Sequence, residues 1–262
     1  MSGPLVLKLG GRSLEAPGAA EALAAELAAY RGACVIVHGG GGEVSAWCSR
    51  LGIEPRFDDG LRVTDPATLE VATAVLAGLA NKRLVAALRA AGVDALGFAA
   101  ADGGIIDIAP HADAARLGAV GRVVSVAPRR LEALLADGVT PVLASIGAHA
   151  GGLLNLNADD LAAALAAALH AGTLVLLSDT PGLKLDGRVV ATVAANDIER
   201  TLAHPDVQGG MRPKLRAAAH AIAGGARRAV IGAWAGEGSL GALVAGGSGT
   251  TFLAETLEGT RA

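Results

Sequence analysis

Residues 33–44 have the sequence ACVIVHGGGGEV, in which an apolar run ends in His38 and four consecutive glycines. An uninterrupted apolar run is typical of a strand that is buried on both faces, as in a parallel sheet. A helix is predicted to follow at about 44–51. A strand, a glycine turn and a helix start form the geometry in which backbone N–H groups hold a phosphate or a carboxylate. The alternative interpretation is a merely tight turn.

Strand and helix patterns alternate on both sides of this stretch. Further strands are predicted at 5–9, 93–98, 139–144, 173–177 and 228–231. Helices are predicted at 19–30, 66–91, 128–136, 158–170 and 211–223, the second with a possible interruption near Gly78 and Asn81, and a peripheral hairpin is predicted within 105–126. The alternation predicts a three-layer αβα sandwich with a mainly parallel central sheet. In such a sheet the polar clusters that follow the strands gather at one edge.

Composition narrows the class of protein. The 262 residues are 52% hydrophobic but only 2% aromatic, so the core is predicted to be aliphatic. The net charge of -3 and the scarcity of stacking aromatics argue against a nucleic-acid partner. Cys34 and Cys48 are too few for a disulfide scaffold, which favours a reducing compartment.

Targeting signals also bear on the class. The start of the chain does not have the pattern of a signal peptide. The longest weakly polar stretch that the sequence suggests, 161–177, is shorter than the roughly 20 residues of a membrane span. We therefore expect a cytoplasmic protein that does not enter a membrane.

Lys8 lies inside the apolar strand 5–9, directly before Gly10 and Gly11. Burying an ammonium group is costly unless an anion accompanies it. Glycines that follow such a lysine allow a ligand to approach the backbone closely, where N–H groups bind anions. The pattern favours an anion site, and the alternative is a solvated lysine on an edge strand.

Two further segments carry polar groups that could bind a carboxylate. Residues 60–64 read GLRVT, and an arginine such as Arg62 suits bidentate binding of a carboxylate. Residues 155–160 read NLNADD, in which Asn157 is a natural helix N-cap. Asn155 lies outside what capping requires, and Asp159 could orient lysine ammonium groups. A surface salt bridge for Arg62 and simple capping for the second segment remain the alternatives.

Residues 209–214 read GGMRPK and place Lys214 in the first turn of a predicted helix. A cation there opposes the helix dipole, and a bound anion would explain its position. The alternative is an exposed lysine. No dinucleotide fingerprint is present, since Val44 stands where its third glycine is required, and no G-K-[ST] follows the glycines of a P-loop. Zinc-ligand clusters and a G-x-S-x-G nucleophile elbow are absent from the sequence as well.

Together these segments resemble the amino acid kinase family, in order from Lys8 to about Thr251. The matching segments are 7–11, 37–41, 60–64, 80–82, 155–159, 177–182 and 209–214. The resemblance implies the amino acid kinase-like fold and ATP-dependent phosphorylation of the γ-carboxylate of N-acetyl-L-glutamate, the second step of arginine biosynthesis. It also implies that Mg²⁺ arrives with ATP and that the protein itself provides no metal cage.

The resemblance also implies roles for individual residues. Lys8 and Lys214 would stabilise the transferring phosphoryl group, and Asp159 would hold both lysines. Substrate contacts would come from Gly40, Gly41, Arg62 and Asn155. Nucleotide contacts would come from Gly10, Gly11, Ser178, Asp179, Thr180, Pro181, Gly182, Leu183, Asp206, Val207, Gln208 and Gly210. We expect one domain over 1–262, with a substrate-binding and dimerisation lobe at 1–175 and a nucleotide-binding lobe at 176–262.

The resemblance implies a homodimer as well. Members inhibited by arginine carry an additional N-terminal helix, and here the first strand begins almost at residue 1, so we expect an arginine-insensitive dimer. Kinases acting on carrier-linked α-aminoadipate or on N-succinylglutamate are the nearest alternatives. A non-catalytic metabolite sensor on the same fold and a Rossmann-type dehydrogenase are the more distant ones.

Overall fold

The computed structural model of the chain describes residues 3–10, 18–58 and 60–254. Its first strands are β1 (Leu5–Leu9), β2 (Cys34–His38), β3 (Phe57–Asp58), β4 (Leu61–Arg62), β5 (Ala95–Ala99), β6 (Ile106–Pro110), β7 (Val120–Val126) and β8 (Thr140–Ala144). The remaining strands are β9 (Ile146–His149), β10 (Gly152–Leu156), β11 (Thr173–Leu177), β12 (Lys184–Leu185), β13 (Arg188–Val189), β14 (Thr192–Ala194), β15 (Arg228–Gly232) and β16 (Thr250–Leu253).

The helices lie between these strands. They are α1 (Ala19–Ala29), α2 (Gly41–Arg50), α3 (Pro66–Thr73), α4 (Asn81–Ala90), α5 (Ala114–Leu117), α6 (Arg129–Ala136), α7 (Ala158–Ala168), α8 (Ile198–Leu202), α9 (Met211–Ala223) and α10 (Ser239–Ala245). The predicted alternation of strands and helices is therefore confirmed.

The central sheet has eight strands in the order β14-β16-β15-β11-β1-β2-β8-β5. Only the β15–β16 pair is antiparallel, so the sheet is mainly parallel, as predicted. A second sheet, β6-β7-β10-β9, contains the predicted peripheral hairpin as β6 and β7. Strands β9 and β10 complete that sheet. Glycine and exposed polar residues interrupt their apolar pattern, so the sequence does not predict these two strands.

Helices cover both faces of the central sheet and make the predicted three layers. On one face Val6 and Leu176 pack with buried residues of α7 and α9. On the other face Leu7 and Ile36 pack with buried residues of α1, α4 and α10. Because successive side chains of a strand point to opposite faces, Lys8 lies on the α7 and α9 face and His38 on the α4 face.

The segment predicted as one long helix is continuous, but a π-helical stretch, Ala74–Ala80, joins α3 to α4. Asp65 caps its start by accepting the N–H of Thr68 at 2.8 Å. By length and composition alone the 25-residue segment Pro66–Ala90 could cross a membrane, a test that core helices of soluble proteins also pass. This segment, and not 161–177, is thus the span candidate among the described residues.

Gly118 occupies a position where backbone geometry and space both require glycine. Its φ is +74°, and a Cβ there would lie 2.3 Å from the carbonyl oxygen of Thr64. The two residues form a parallel bridge that joins the end of the β3–β4 hairpin to the start of β7. This contact places Arg62 and Thr64 beside the second sheet.

We predict that Gly118→Ala lowers the free energy of unfolding more than Gly52→Ala does. Both glycines have φ +74°, but nothing lies within 4 Å of a Cβ at Gly52. A positive φ costs alanine about 1–2 kcal/mol, and the ψ of -137° at Gly118 places that residue in a region that is open essentially to glycine, where the cost is about 1–3 kcal/mol. The contact with Thr64 adds about 1–3 kcal/mol at Gly118 alone. Urea unfolding measures both variants, and equal losses would contradict the steric argument.

Candidate active site

Lys8 is buried in the centre of the main sheet. Strand β1 is paired on both sides, with β11 and β2, and Lys8 is 6% exposed. Its Nζ lies 2.8 Å from Oδ1 of Asp159, the second residue of α7. The solvated edge lysine is therefore the wrong interpretation, because this lysine lies on a central strand and has a buried anionic partner.

Lys214 reaches the same carboxylate from the first turn of α9. Its Nζ donates to Oδ2 of Asp159 at 3.1 Å, and its side chain is 13% exposed. Residues 8, 159 and 214 thus meet in one buried cluster, the lysine–aspartate triad. Two ammonium groups face one carboxylate, so the triad retains one uncompensated positive charge when all three groups are ionised.

Burial is the largest influence on the pKa of both Lys8 and Asp159. Burial lowers the pKa of Lys8, Asp159 raises it and Lys214 lowers it again, so the ammonium loses its proton more readily than an ordinary lysine. Burial also opposes ionisation of Asp159. The two ammonium groups and their hydrogen bonds outweigh burial, so the pKa of Asp159 lies below its ordinary value. Asp159 is consequently ionised at neutral pH.

Gly10 lies directly under the Lys8 ammonium group. A Cβ at Gly10 would be 2.0 Å from Nζ and 2.8 Å from Cε of Lys8. The glycine that follows the strand therefore leaves the space that the lysine head group occupies. Gly11, also expected at the site, lies outside the described residues.

A first cavity of about 230 Å³ opens beside Lys8 and Asp159. The predicted substrate residues Gly40, Gly41, Arg62 and Asn155 all line it. Helix α2 starts at Gly41 and receives no side-chain cap from the described residues, so N–H groups of its first turn suit a ligand. By contrast, Asn157 caps α7 by accepting the N–H of Asp159 at 2.8 Å.

Arg62 is held from two sides at the wall of the first cavity. Its Nη2 donates to the carbonyl oxygen of Gly41 at 2.7 Å and to Oγ of Ser45 at 2.8 Å. The guanidinium lies 4.6 Å from the ring centroid of Phe57, directly across the β3–β4 hairpin. Its Nη1 is buried and has no hydrogen-bond partner in the part of the chain that the structure describes. Because Arg62 is 8% exposed and forms no surface salt bridge with a described residue, an anionic ligand suits the unused Nη1.

Asn155 is tied to Arg62 through Thr64. The Nδ2 of Asn155 donates to Oγ1 of Thr64 at 3.2 Å, and that hydroxyl donates to the carbonyl oxygen of Arg62 at 2.9 Å. Strand β10 carries Asn155 and pairs with β7 at Val120. The second sheet thereby places Asn155 at the first cavity.

A second cavity, of about 370 Å³, opens on the other side of the triad, where Lys214 lines it. The predicted nucleotide residues that line it are Ser178, Asp179, Thr180, Gly182, Leu183, Asp206, Gln208 and Gly210. Pro181 and Val207 are not among its lining residues, although their chain neighbours are, and the side chain of Val207 is fully buried. Gly10 lines the first cavity instead.

Several lining residues were not singled out from the sequence. Ser145 and Phe57 line the first cavity, and Lys184 and Met211 line the second. Phe57 is one of the few aromatic residues of the chain and is exposed, and its rarity is a sequence feature that can mark it as a candidate binding residue. The others carry no distinguishing local pattern, because the sheet order alone brings them to the cavities.

A sequence profile described as the Amino acid kinase family matches residues 3–233. The chain belongs to the amino acid kinase family. A relative named acetylglutamate kinase from Rubrobacter xylanophilus is 44% identical over 247 residues, covering 94% of this chain and 95% of that protein. One of the same name from Methanopyrus kandleri is 43% identical over 236 residues, covering 86% and 93%.

A solved structure places a different activity on the same fold. N-acetylglutamate synthase from Neisseria gonorrhoeae, complexed with coenzyme A and N-acetyl-glutamate, superposes with a TM-score of 0.84 at 26% identity. The alignment covers 97% of this chain and 60% of the synthase. Membership of the amino acid kinase fold therefore leaves the chemistry to be argued from the site.

We predict that Asp159→Asn lowers the free energy of unfolding at neutral pH by about 3–5 kcal/mol, because two buried ammonium groups lose the carboxylate between them. The matched control is Asp160→Asn on the same turn, where burial and the charge of Asp159 raise the pKa of the carboxyl group to about 6, so that its ionised form adds little stability and the expected change is at most about 1 kcal/mol. The measurement is urea unfolding of both variants.

The pH dependence follows from the depressed pKa of Asp159. Its contribution is complete above the unfolded-state value of about 3.9 and is lost as pH falls through the lower folded-state pKa. The difference between the wild type and Asp159→Asn should therefore shrink below about pH 4. A difference that stays constant to lower pH would contradict an ionised carboxylate at this position.

Proposed function

We propose that this chain catalyses the ATP-dependent phosphorylation of the γ-carboxylate of N-acetyl-L-glutamate, giving N-acetyl-L-glutamyl 5-phosphate in the second step of arginine biosynthesis. The observation that carries the proposal is the lysine–aspartate triad of Lys8, Asp159 and Lys214, which separates the two cavities. The name of the relative from Rubrobacter xylanophilus supports the same activity.

The two cavities divide the substrates between them in this proposal. Those residues that line the first cavity precede position 160, and those that line the second follow position 176. We assign the acyl amino acid to the first cavity and ATP to the second. This division supports a substrate-binding lobe at 1–175 and a nucleotide-binding lobe at 176–262.

Arg62 is the proposed partner of the substrate's α-carboxylate. The bonds to Gly41 and Ser45 hold the guanidinium group in place. Its Nη1, which has no partner among the described residues, can then donate to an anion. Asn155 supplies an amide beside it, which suits the N-acyl group. The γ-carboxylate would then extend toward Lys8 and the N-terminus of α2.

The chemical step needs positioning and charge more than proton transfer. A carboxylate is already ionised at neutral pH and can attack without a general base. One γ-carboxylate oxygen forms a bond to the γ-phosphorus of ATP, and the bond from that phosphorus to the β–γ bridging oxygen breaks. The bonding electrons leave with ADP. Lys8 and Lys214 would stabilise the negative charge on the transferring phosphoryl group. N–H donors of the first turn of α2 would stabilise the same charge from the first cavity.

Mg²⁺ would enter with the phosphates of ATP and neutralise part of their charge. Both oxygens of Asp159 already face ammonium groups, so this carboxylate is a poor metal ligand. Among the described residues, ligand atoms of Asp186, His204 and Asp206 lie within 4.8 Å of one another. Asp206 lines the second cavity, but its carboxylate already accepts the N–H of Asp186 at 2.7 Å. These contacts suit an ion carried mainly by phosphate oxygens and water.

The test is ADP release in a coupled assay, with hydroxylamine trapping of the acyl phosphate. We expect turnover with N-acetyl-L-glutamate and much less with N-succinylglutamate, glutamate or N-acetyl-aminoadipate. A higher kcat/KM with one of the other acids would identify that acid as the substrate. Absence of carboxylate-dependent ADP release would contradict the proposed kinase activity.

Two variants distinguish ADP release that depends on the triad from ADP release by contaminating enzymes. Lys8→Met and Lys214→Met should each lower turnover about 100-fold or more, judged by the loss of single oxyanion donors. Arg129→Met serves as the control, because Arg129 is an exposed cation at the start of α6 and lines neither cavity. Wild-type rates in either triad variant would remove that lysine from the mechanism.

We also propose that the chain acts as a homodimer in the cytoplasm. Strand β5 ends the order of the central sheet and pairs with β8 on one side only among the described strands. Leu96 on this strand is 46% exposed. An exposed apolar edge strand is a template for pairing with a second copy. Cys34 and Cys48 are free thiols, in keeping with a reducing compartment.

We predict that Leu96→Glu shifts the protein toward monomer in light scattering coupled to size exclusion, since it places a charge on the pairing edge. Val124→Glu is the control, because Val124 is 55% exposed on the other sheet. A wild-type monomer, or equal effects of both variants, would contradict a dimer built on β5.

A further inference from the structure

The glycine turn after β2 has a different environment on each of its two sides. Gly39 and Gly40 line the first cavity, and they also line a smaller cavity of about 170 Å³ on the side of His38. The backbone of these glycines is thus the wall between the two spaces. His38 lies on the α4 face of the sheet, opposite the triad, and is 3% exposed. The proposed mechanism gives this buried imidazole no role.

Hydrogen bonds fix which ring nitrogen of His38 carries the proton. The Nδ2 of Asn81 donates to the carbonyl oxygen of Val142 at 3.0 Å, and a carbonyl can only accept. The Oδ1 of the same amide accepts from Nζ of Lys82 at 2.9 Å, which fixes the same orientation independently. The second N–H of Asn81 therefore faces Nε2 of His38 at 3.0 Å, so Nε2 is the acceptor. The ring proton is on Nδ1, which donates to the carbonyl oxygen of Gly39 at 2.9 Å.

The bond to Gly39 determines where the next N–H points. In a trans peptide the C=O and the following N–H point in opposite directions. Holding the carbonyl of Gly39 on the His38 side turns the N–H of Gly40 toward the first cavity. None of the described residues accepts a hydrogen bond from this N–H.

We propose that His38 and Asn81 are positioning residues that orient the Gly39–Gly40 peptide, so that the N–H of Gly40 faces the reacting carboxylate and phosphoryl group. Asn81 acts by selecting the Nδ1–H tautomer, and His38 acts by holding the carbonyl of Gly39. The inference rests on the proposed function, because it concerns the same reaction.

The charged groups near the ring are compatible with a neutral imidazole. Glu43 on α2 attracts a proton to His38, and Lys82 on α4 repels it. Glu43 is also paired with Arg83 at 2.7 Å, which reduces its effect. Burial is the largest influence and lowers the pKa of His38. A proton on Nε2 would in addition face the N–H of Asn81, donor against donor, so burial and this contact both favour the neutral ring.

The first experiment reads the tautomer directly. Long-range ¹H–¹⁵N correlation spectra of protein labelled with ¹⁵N-histidine distinguish Nδ1–H from Nε2–H rings. We expect His38, assigned by its absence in His38→Asn, to remain the Nδ1–H tautomer from about pH 6 to pH 9. An Nε2–H ring overturns the inference, and this result needs no turnover, so it stands apart from any failure of the proposed function.

The second experiment gives Asn81→Asp a pH profile that a purely structural role would not produce. At low pH the imidazolium donates from Nε2 to the introduced carboxylate and from Nδ1 to Gly39, so the peptide stays in place. At higher pH the remaining proton moves to Nε2, and the lone pair of Nδ1 repels the carbonyl of Gly39. We expect kcat to fall about 10- to 100-fold as pH rises through the raised pKa of His38, with little change in KM.

Matched variants complete the test. Asn196→Asp makes the same substitution at an exposed site and should keep the wild-type pH profile. His38→Asn keeps a donor near the position of Nδ1 and should retain at least 10-fold more turnover than His38→Leu, roughly the worth of one such donor. If Asn81→Asp does not fold, the difference in turnover between His38→Asn and His38→Leu tests the inference by itself. A uniform loss in Asn81→Asp at every pH, or equal turnover in both His38 variants, overturns the inference while leaving an active wild-type kinase intact.

Discussion

The carboxylate of Asp159 between the ammonium groups of Lys8 and Lys214 is the interaction on which the site depends. It offsets the cost of burying the Lys8 ammonium group, since isolated buried ions are strongly disfavoured, and it also accepts a hydrogen bond from Lys214. One carboxylate balances only one of the two cations. The residual positive charge lies between the two cavities, where a transferring phosphoryl group would pass. The same arrangement thus stabilises the fold and leaves a positive charge that an anionic ligand can neutralise.

Side chains from both faces of the central sheet surround the glycine turn. The triad approaches from the α7 and α9 face, and His38 with Asn81 approaches from the α4 face. Glycine is suited to this position because backbone alone separates the two sides. A Cβ at Gly40, for example, would lie 2.9 Å from Cδ2 of Leu76. The side facing the first cavity carries N–H donors, and the opposite side carries the carbonyl that His38 holds.

The fold by itself does not select the reaction. The gonococcal synthase shares the architecture at a TM-score of 0.84 while its name describes a different chemistry. The features that favour phosphoryl transfer here are local ones, namely the triad, the uncapped start of α2 and the unused Nη1 of Arg62. Each is a charged or N–H group aimed at a cavity, and together they suit a polyanionic pair of substrates.

The sequence by itself determined the alternation of elements, the strands around Lys8 and His38, and the polar clusters that follow them. These are local properties, because the period of apolar residues and the position of glycines report the burial and turns of one segment. The family resemblance, more than any local pattern, predicts that Asp159 and Lys214 lie together. Only the tertiary structure decided the strand order, the antiparallel β15–β16 pair and the second sheet that places Asn155. It also decided that Pro181 and Val207 do not line the second cavity and that His38 is bound to Asn81. Contacts such as these join residues far apart in sequence, and they depend on which strands become neighbours, which no local pattern encodes.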